Sequence, residues 1–227
     1  MNFVIIVAAG TGNRMKSDLP KQFLNLNGLP IVMHTINRFC QSETISEVIL
    51  VISEPMESFW TELCLKHQFD KPIHIAFGGS SRFESVKNGL DYIQQNFDIG
   101  PKDYIAVHDA ARPIVSDLLI RKAFQGAYEH QAIVLAQKSI ESVRMGNVST
   151  NKAVDRNQIW MIQTPQVFHG ELLLKSYQQD EDPLFTDDAS VVERMGERIY
   201  IVEGDSKNIK ITYPQDLQIA QLYLNLI

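Results

Sequence analysis

A glycine-bearing loop flanked by two cations, and one acidic residue at the end of an apolar run, carry the chemistry of this chain. The segment Val7-Ala8-Ala9-Gly10-Thr11-Gly12-Asn13-Arg14-Met15, followed by Pro20-Lys21-Gln22, begins where the apolar run 3–7 stops. It reads as the loop leaving a buried first strand. Small residues from Ala8 to Gly12 let backbone N–H groups approach a phosphate, and Arg14 and Lys21 add fixed positive charge. The dinucleotide fingerprint G-x-G-x-x-G and the P-loop G-x-x-x-x-G-K-[ST] both need glycine where this chain has Met15. The loop is expected to hold a nucleotide's phosphates by neither of those arrangements.

His108-Asp109-Ala110-Ala111-Arg112-Pro113 follows a second apolar run, 104–107. Asp109 is therefore expected at the carboxyl end of a strand, with Arg112 one turn later. An Asp there can be no more than a helix cap. The neighbouring His and Arg, the small Ala pair and proximity to Arg14 favour a second role. One carboxylate could hold Mg²⁺ against triphosphate oxygens, since this ion is usually bound by one or two carboxylates plus substrate phosphates. No G-x-S-x-G elbow accompanies His108 and Asp109, which disfavours a serine hydrolase. Gly78-Gly79-Ser80-Ser81-Arg82 also links a strand to a helix. It is either a turn with an N-cap or a place where Gly79, Ser80 and Ser85 meet a base or ribose.

Alternating elements must position these groups. Runs 3–7, 48–52, 73–77, 104–107 and 133–136 read as strands, and 34–40, 57–67, 81–95 and 116–130 as helices. Ser81-x-x-Glu84 is a capping box, and Ser116 is placed to cap the next helix. The alternation predicts a single α/β domain over 1–227, Rossmann-like, with a mostly parallel sheet and helices on both faces. From 137 to 167 the rhythm breaks, with turn signals at Gly146-Asn147 and Asn151. A structureless loop that long is improbable, so 138–163 is expected to project as a β-arm that packs on a second subunit. The pattern resumes with 171–177, 187–195, strands at 199–202 and 209–212, and a helix from Pro214.

Across 227 residues, 44% are hydrophobic and the net charge is −6. That balance argues against a general nucleic-acid surface, yet Arg14, Lys21, Arg112, Arg156, Lys207 and Lys210 sit in loop-like or motif-like sequence. The six histidines show no zinc spacing, and Cys40 and Cys64 read as reduced core residues. No apolar run approaches the ~20 residues of a membrane helix. The chain is expected to be cytoplasmic.

Taken in order, these segments resemble the 2-C-methyl-D-erythritol 4-phosphate cytidylyltransferases of the non-mevalonate isoprenoid pathway. The likeness rests on the loop at 8–14, Pro20-Lys21-Gln22, Gly78-Gly79-x-x-Arg82-x-x-Ser85-Val86, and His108-Asp109-Ala110-Ala111-Arg112-Pro113. It continues through Val154-Asp155-Arg156, Thr164-Pro165-Gln166, Thr186-Asp187-Asp188-Ala189-Ser190, and Asn208-Ile209-Lys210-Ile211-Thr212. The resemblance implies CTP phosphates along Ala8, Ala9, Gly10, Thr11 and Gly12, with cytosine near Gly79, Ser80 and Ser85. It assigns Arg14 and Lys21 to charge on the transferring phosphate, and Asp109 to Mg²⁺, nucleotide and substrate. By the same analogy Arg112, Ser142, Arg156 and Thr164 face the sugar phosphate and Lys210 positions it, with Arg156 reaching a neighbouring subunit of a homodimer. Glu141-Ser142, where Asp-Thr or Asp-Ser is commoner, and Phe83, often polar, depart from the family's pattern.

Such a reaction needs no general base. A phosphate monoester with a second pKa near ~6 is mostly dianionic at neutral pH, and the obstacle is its repulsion by a triphosphate. Alignment and charge neutralisation dominate phosphoryl and nucleotidyl transfers. Ribitol 5-phosphate cytidylyltransferases are the alternative. They tend to carry Ser-Val inside the His-Asp motif and Cys after Thr-Asp-Ala, where this chain has Ala110-Ala111 and Asp188-Ala189-Ser190. A non-catalytic nucleotide-binding module would be expected to lack Arg14, Lys21 or Asp109, and all three are present.

Overall fold

A computed structural model describes residues 1–10, 15 and 19–226. The predicted loop residues Thr11, Gly12 and Arg14 lie outside the described residues. In chain order the strands are β1 (Asn2–Val7), β2 (Asn25–Leu26), β3 (Leu29–Pro30), β4 (Glu47–Ile52), β5 (His74–Phe77), β6 (Tyr104–Asp109), β7 (Ala132–Lys138), β8 (Val143–Gly146), β9 (Asn151–Val154), β10 (Trp160–His169) and β11 (Tyr200–Glu203). The α-helices are α1 (Ile31–Cys40), α2 (Glu57–His67), α3 (Arg82–Asn96), α4 (Asp117–His130), α5 (Gly170–Ser176), α6 (Asp188–Glu193) and α7 (Pro214–Leu224).

Seven strands form the main sheet in the order β11-β7-β10-β6-β1-β4-β5. β1 pairs in parallel with β4 and β6, β4 with β5, and β7 with β11; β10 alone runs antiparallel, between β6 and β7. Alternation along β1 sends Phe3 and Ile5 to one face and Val4 and Ile6 to the other. The first face packs against Val86, Leu90 and Ile93 of α3, the second against α1 and α4. Both faces are covered, which is why the strands read as continuous apolar runs rather than alternating ones.

Helix starts follow the sequence signals. The Ser81 hydroxyl accepts the Glu84 N–H at 3.0 Å, and the Ser116 hydroxyl accepts the Leu119 N–H at 3.2 Å. Asp187 caps α6 in the same way, accepting the Ser190 N–H at 3.0 Å.

Two expectations are corrected. The break after 137 is only in part an arm: the separate hairpin is β8–β9, whereas Trp160–His169 is a ten-residue strand of the main sheet. Its strand character was hidden because its buried positions include Gln163, Thr164 and Gln166, and Pro165 interrupts it. The ladder shifts register between Gln163 and Gln166. The segment 209–212 is not a strand either. Ile211 donates its N–H to Ala111 O at 2.9 Å. Ile209 and Ile211 pack into a third cluster with Leu26, Ile31 and Ala220 of α7.

Candidate active site

Parallel β1, β4, β5 and β6 all end at one edge of the sheet, the edge at which open α/β folds take their ligands. A cleft of about 670 Å³ opens there. The end of β1 contributes Val7, Ala8, Ala9 and Gly10; a 3₁₀ turn, Lys21–Phe23, contributes Lys21 and Gln22; the end of β4 contributes Ser53. The β5–α3 loop adds Gly79, Ser80, Ser81, Arg82 and Ser85. The end of β6 adds Asp109, Ala110 and Ala111, and Lys210 completes the wall.

The first loop is pinned from behind. Gln22, almost fully buried, donates its amide to the carbonyl oxygens of Ala8 and Gly10, so these acceptors, which would repel an anion, are already occupied. The β5–α3 loop closes onto it through Gly78, where a Cβ would overlap Ala9 and come within 2.8 Å of the Ser85 hydroxyl. Beside it, a Cβ at Gly79 would collide with the Glu84 side chain. That carboxylate folds back to accept the Ser80 N–H at 2.6 Å and the Ser80 hydroxyl at 2.7 Å, while Gly79 N–H donates to Ser85 Oγ at 3.2 Å.

Asp109 ends β6 almost buried. Its Oδ2 meets Lys210 Nζ at 2.9 Å and Arg112 Nε at 3.4 Å, while Oδ1 accepts nothing from a described residue. Burial alone would raise this carboxyl's pKa, but the charges of Lys210, Arg82 and Arg112 hold it well below the usual carboxylate range. Lys21 donates from Nζ to Ile211 O at 2.8 Å. Lys21 is thereby tied to the short segment that carries Lys210.

Behind Asp109 lies a relay of neutral hydrogen bonds. The Asp109 N–H donates to Thr164 Oγ1 at 3.1 Å, and Thr164 Oγ1 lies 3.1 Å from His108 Nδ1. His108 Nε2 stands 3.1 Å from Arg112 O. Since the carbonyl can only accept, Nε2 carries the proton and Nδ1 accepts from Thr164. The ring is fully buried against Phe39, and burial pushes its pKa down to about 3. Both nitrogens are committed, so His108 positions the end of β6.

The expected site residues therefore separate into groups. Ala8, Ala9, Gly10, Lys21, Gly79, Ser80, Ser85, Asp109 and Lys210 line one cleft. Arg112 and Thr164 are buried behind Asp109 and outside the lining: Arg112 donates to Asn208 O at 2.8 Å, and the Thr164 hydroxyl is engaged by His108 and Asp109. Ser142 and Arg156 are exposed near the hairpin, where Arg156 Nη1 donates to Ile140 O at 3.0 Å, and neither lines the cleft. Gln22, Ser53 and Arg82 were given no role, and Ser81 only that of a helix cap. Gln22 and Arg82 stood inside quoted motifs, whereas Ser53 had only its place at a strand's end.

An open α/β sheet that gathers a small-residue loop, two lysines and one carboxylate at its carboxyl edge has the parts that a nucleotidyl-transfer enzyme needs. Residues 2–226 match the family described as "IspD: 2-C-methyl-D-erythritol 4-phosphate cytidylyltransferase", and the chain belongs to that family. It is 43% identical over 221 residues to the 2-C-methyl-D-erythritol 4-phosphate cytidylyltransferase of Bacteroides thetaiotaomicron, covering 97% of this chain and 98% of the relative. The enzyme of that name from Bacteroides fragilis is 44% identical over 220 residues, covering 97% and 98%. Among solved structures, the Francisella tularensis 2-C-methyl-D-erythritol 4-phosphate cytidylyltransferase superposes with TM-score 0.79 at 32% identity, covering 98% of this chain and 99% of that one.

Proposed function

We propose that the cleft binds CTP with its phosphates along the loop after β1 and its nucleoside against Gly79, Ser80 and Ser85. The reaction is CTP-dependent cytidylyl transfer to 2-C-methyl-D-erythritol 4-phosphate, releasing pyrophosphate. The monoester oxygen attacks the α-phosphorus, and the P–O bond to the pyrophosphate breaks as the new one forms. Lys21, with Arg14 beyond the described residues, stabilises charge on the transferring group. Lys210 orients the acceptor phosphate, and buried Arg112 holds Asp109 and the Asn208 carbonyl in register. The observation that carries this reading is the convergence of Lys21, Lys210 and Asp109 on the cleft that also contains the small-residue loop.

The donor set fits Mg²⁺. Among the described residues Asp109 Oδ1 is engaged by no donor, and no three His, Cys, Asp or Glu side chains form a metal cluster. That suits an ion whose other ligands are phosphate oxygens and water. When bound through Asp109, Mg²⁺ would neutralise phosphate charge.

The hairpin supports a homodimer. Ile140, Met145, Val148 and Met161 are exposed on and beside it, an apolar display suited to a second subunit. Arg156 would then act in the partner's cleft, with Ser142 near the acceptor. Among the described residues no helix is long and apolar enough to cross a membrane.

The test is pyrophosphate release from CTP and Mg²⁺, with 2-C-methyl-D-erythritol 4-phosphate and ribitol 5-phosphate as separate acceptors. Turnover with the first is expected. Turnover with only the second would overturn the acceptor assignment, and no release with either would overturn the reaction.

A further inference from the structure

Arg82 is the cleft cation to which no role has yet been given. It begins α3, its side chain is one-third exposed, and it lines the cleft beside Ser81 and Ser85. Its guanidinium is gripped end-on by Asp188, the first residue of α6. Nη1 donates to Oδ1 at 2.8 Å and Nη2 to Oδ2 at 2.6 Å. Asp188 is completely buried and also accepts the Tyr177 hydroxyl on Oδ1 at 2.7 Å. The Tyr177 ring is fixed in turn by stacking on Phe83 at 4.7 Å, and Phe83 stacks on Phe185 at 5.7 Å. Phe83, a departure from the family's pattern, is thus the middle ring of an aromatic stack that supports the clamp.

A guanidinium has five N–H donors in a planar fork. Asp188 takes two. The remaining three, on Nε, Nη1 and Nη2, meet no acceptor among the described residues. We propose that Arg82 is a further nucleotide-contacting residue, donating to an oxygen of the nucleoside half of CTP, and that Asp188 and Tyr177 are its positioning residues. Two features point to the nucleoside half. Arg82 stands on the same loop–helix junction as Gly79, Ser80 and Ser85, the part of the cleft read above as the nucleoside side. Its guanidinium is held in a fixed orientation by the Asp188 carboxylate, so what it offers a ligand is direction as well as charge. A base carbonyl or ribose hydroxyl suits such a donor, whereas the triphosphate is met by the lysines. The inference rests on the reading of this cleft as the CTP site.

The test is calorimetric binding of CMP and, separately, of inorganic pyrophosphate to the wild-type chain, Arg82→Lys and Tyr177→Phe. Arg82→Lys keeps the charge but loses the fork. It should raise the Kd for CMP about tenfold, as loss of a hydrogen bond from a charged group does, and leave the Kd for pyrophosphate within about twofold. Tyr177→Phe keeps the ring stack and removes only the hydroxyl. It should raise the CMP Kd by a few-fold while the melting temperature stays near that of wild type. CMP affinity unchanged in Arg82→Lys, or weakened no more than pyrophosphate affinity, overturns the nucleoside contact. A Tyr177→Phe variant that melts lower yet binds CMP normally overturns the positioning role. A wild-type chain that binds no CMP overturns the CTP reading itself, which separates that failure from the others.

Discussion

Lys210 Nζ lies 2.9 Å from Asp109 Oδ2, joining the segment before α7 to the carboxyl end of β6 across the mouth of the cleft. The contact makes a carboxylate at the end of a buried strand tolerable, because a cation offsets the cost of its partial desolvation. It also places the lysine proposed to orient the acceptor in contact with the group that would carry Mg²⁺.

Acid stability should report this pair. The folded Asp109 carboxyl titrates below its ordinary value of 3.8, so its stabilising contribution is complete above that value and disappears as pH falls through the depressed folded one. Lys210→Met removes the strongest of the depressing charges and narrows that window. The acid-unfolding midpoint, followed by circular dichroism, should move upward by about half a pH unit. An unmoved midpoint would show that Lys210 does not support the carboxylate.

His108 predicts a second, separate slope. Its folded value of about 3 lies below the ordinary 6.5, so the unfolded chain binds a proton first as pH drops. Stability is full above 6.5 and declines between 6.5 and about 3, by about 1.4 kcal/mol per pH unit for one group. His108→Gln should remove one proton from the slope of unfolding free energy against pH in that interval, compared with wild type in chemical denaturation series. Equal slopes in the two proteins would remove His108 as the source.

Lys21→Ala should lower kcat on the order of 10²-fold, as lost charge stabilisation in a transition state does. Lys21 also donates to Ile211 O, so melting must be measured alongside turnover. Turnover within a few-fold of wild type would contradict the assigned role.

What the chain revealed in advance follows the strength of local pattern. The parallel half of the sheet was legible because β1, β4, β6 and β7 are short β-branched runs buried on both faces, and α3 and α4 carry serine caps. β10 was not, because its middle is built from Gln163, Thr164, Pro165 and Gln166, whose polar groups are satisfied by Asp205, His108 and Asp187 from elsewhere in the fold. Cleft-lining residues that are small, or that carry charge beside glycine, stood out in sequence. Gln22 and Asp188 stood in quoted motifs, but their roles, behind the first loop and behind Arg82, were not legible because their partners lie in other elements of the fold.

The remaining prediction concerns Arg156, which is exposed near the hairpin and absent from the lining of its own chain's cleft. If it serves the partner's cleft, Arg156→Ala should raise KM for the sugar phosphate while leaving CTP affinity unchanged. A complementation experiment separates action within a subunit from action across the interface. Lys21→Ala and Arg156→Ala chains, each strongly impaired alone, are mixed so that subunits exchange. A mixed dimer then holds one cleft with native Lys21 and the partner's native arginine, and one with neither. Random pairing makes about half the dimers mixed, so about a quarter of wild-type activity should return. Recovery requires the two residues of one site to come from different chains. If Arg156 serves its own subunit, every cleft in the mixture carries a lesion and activity stays at the level of the separate variants.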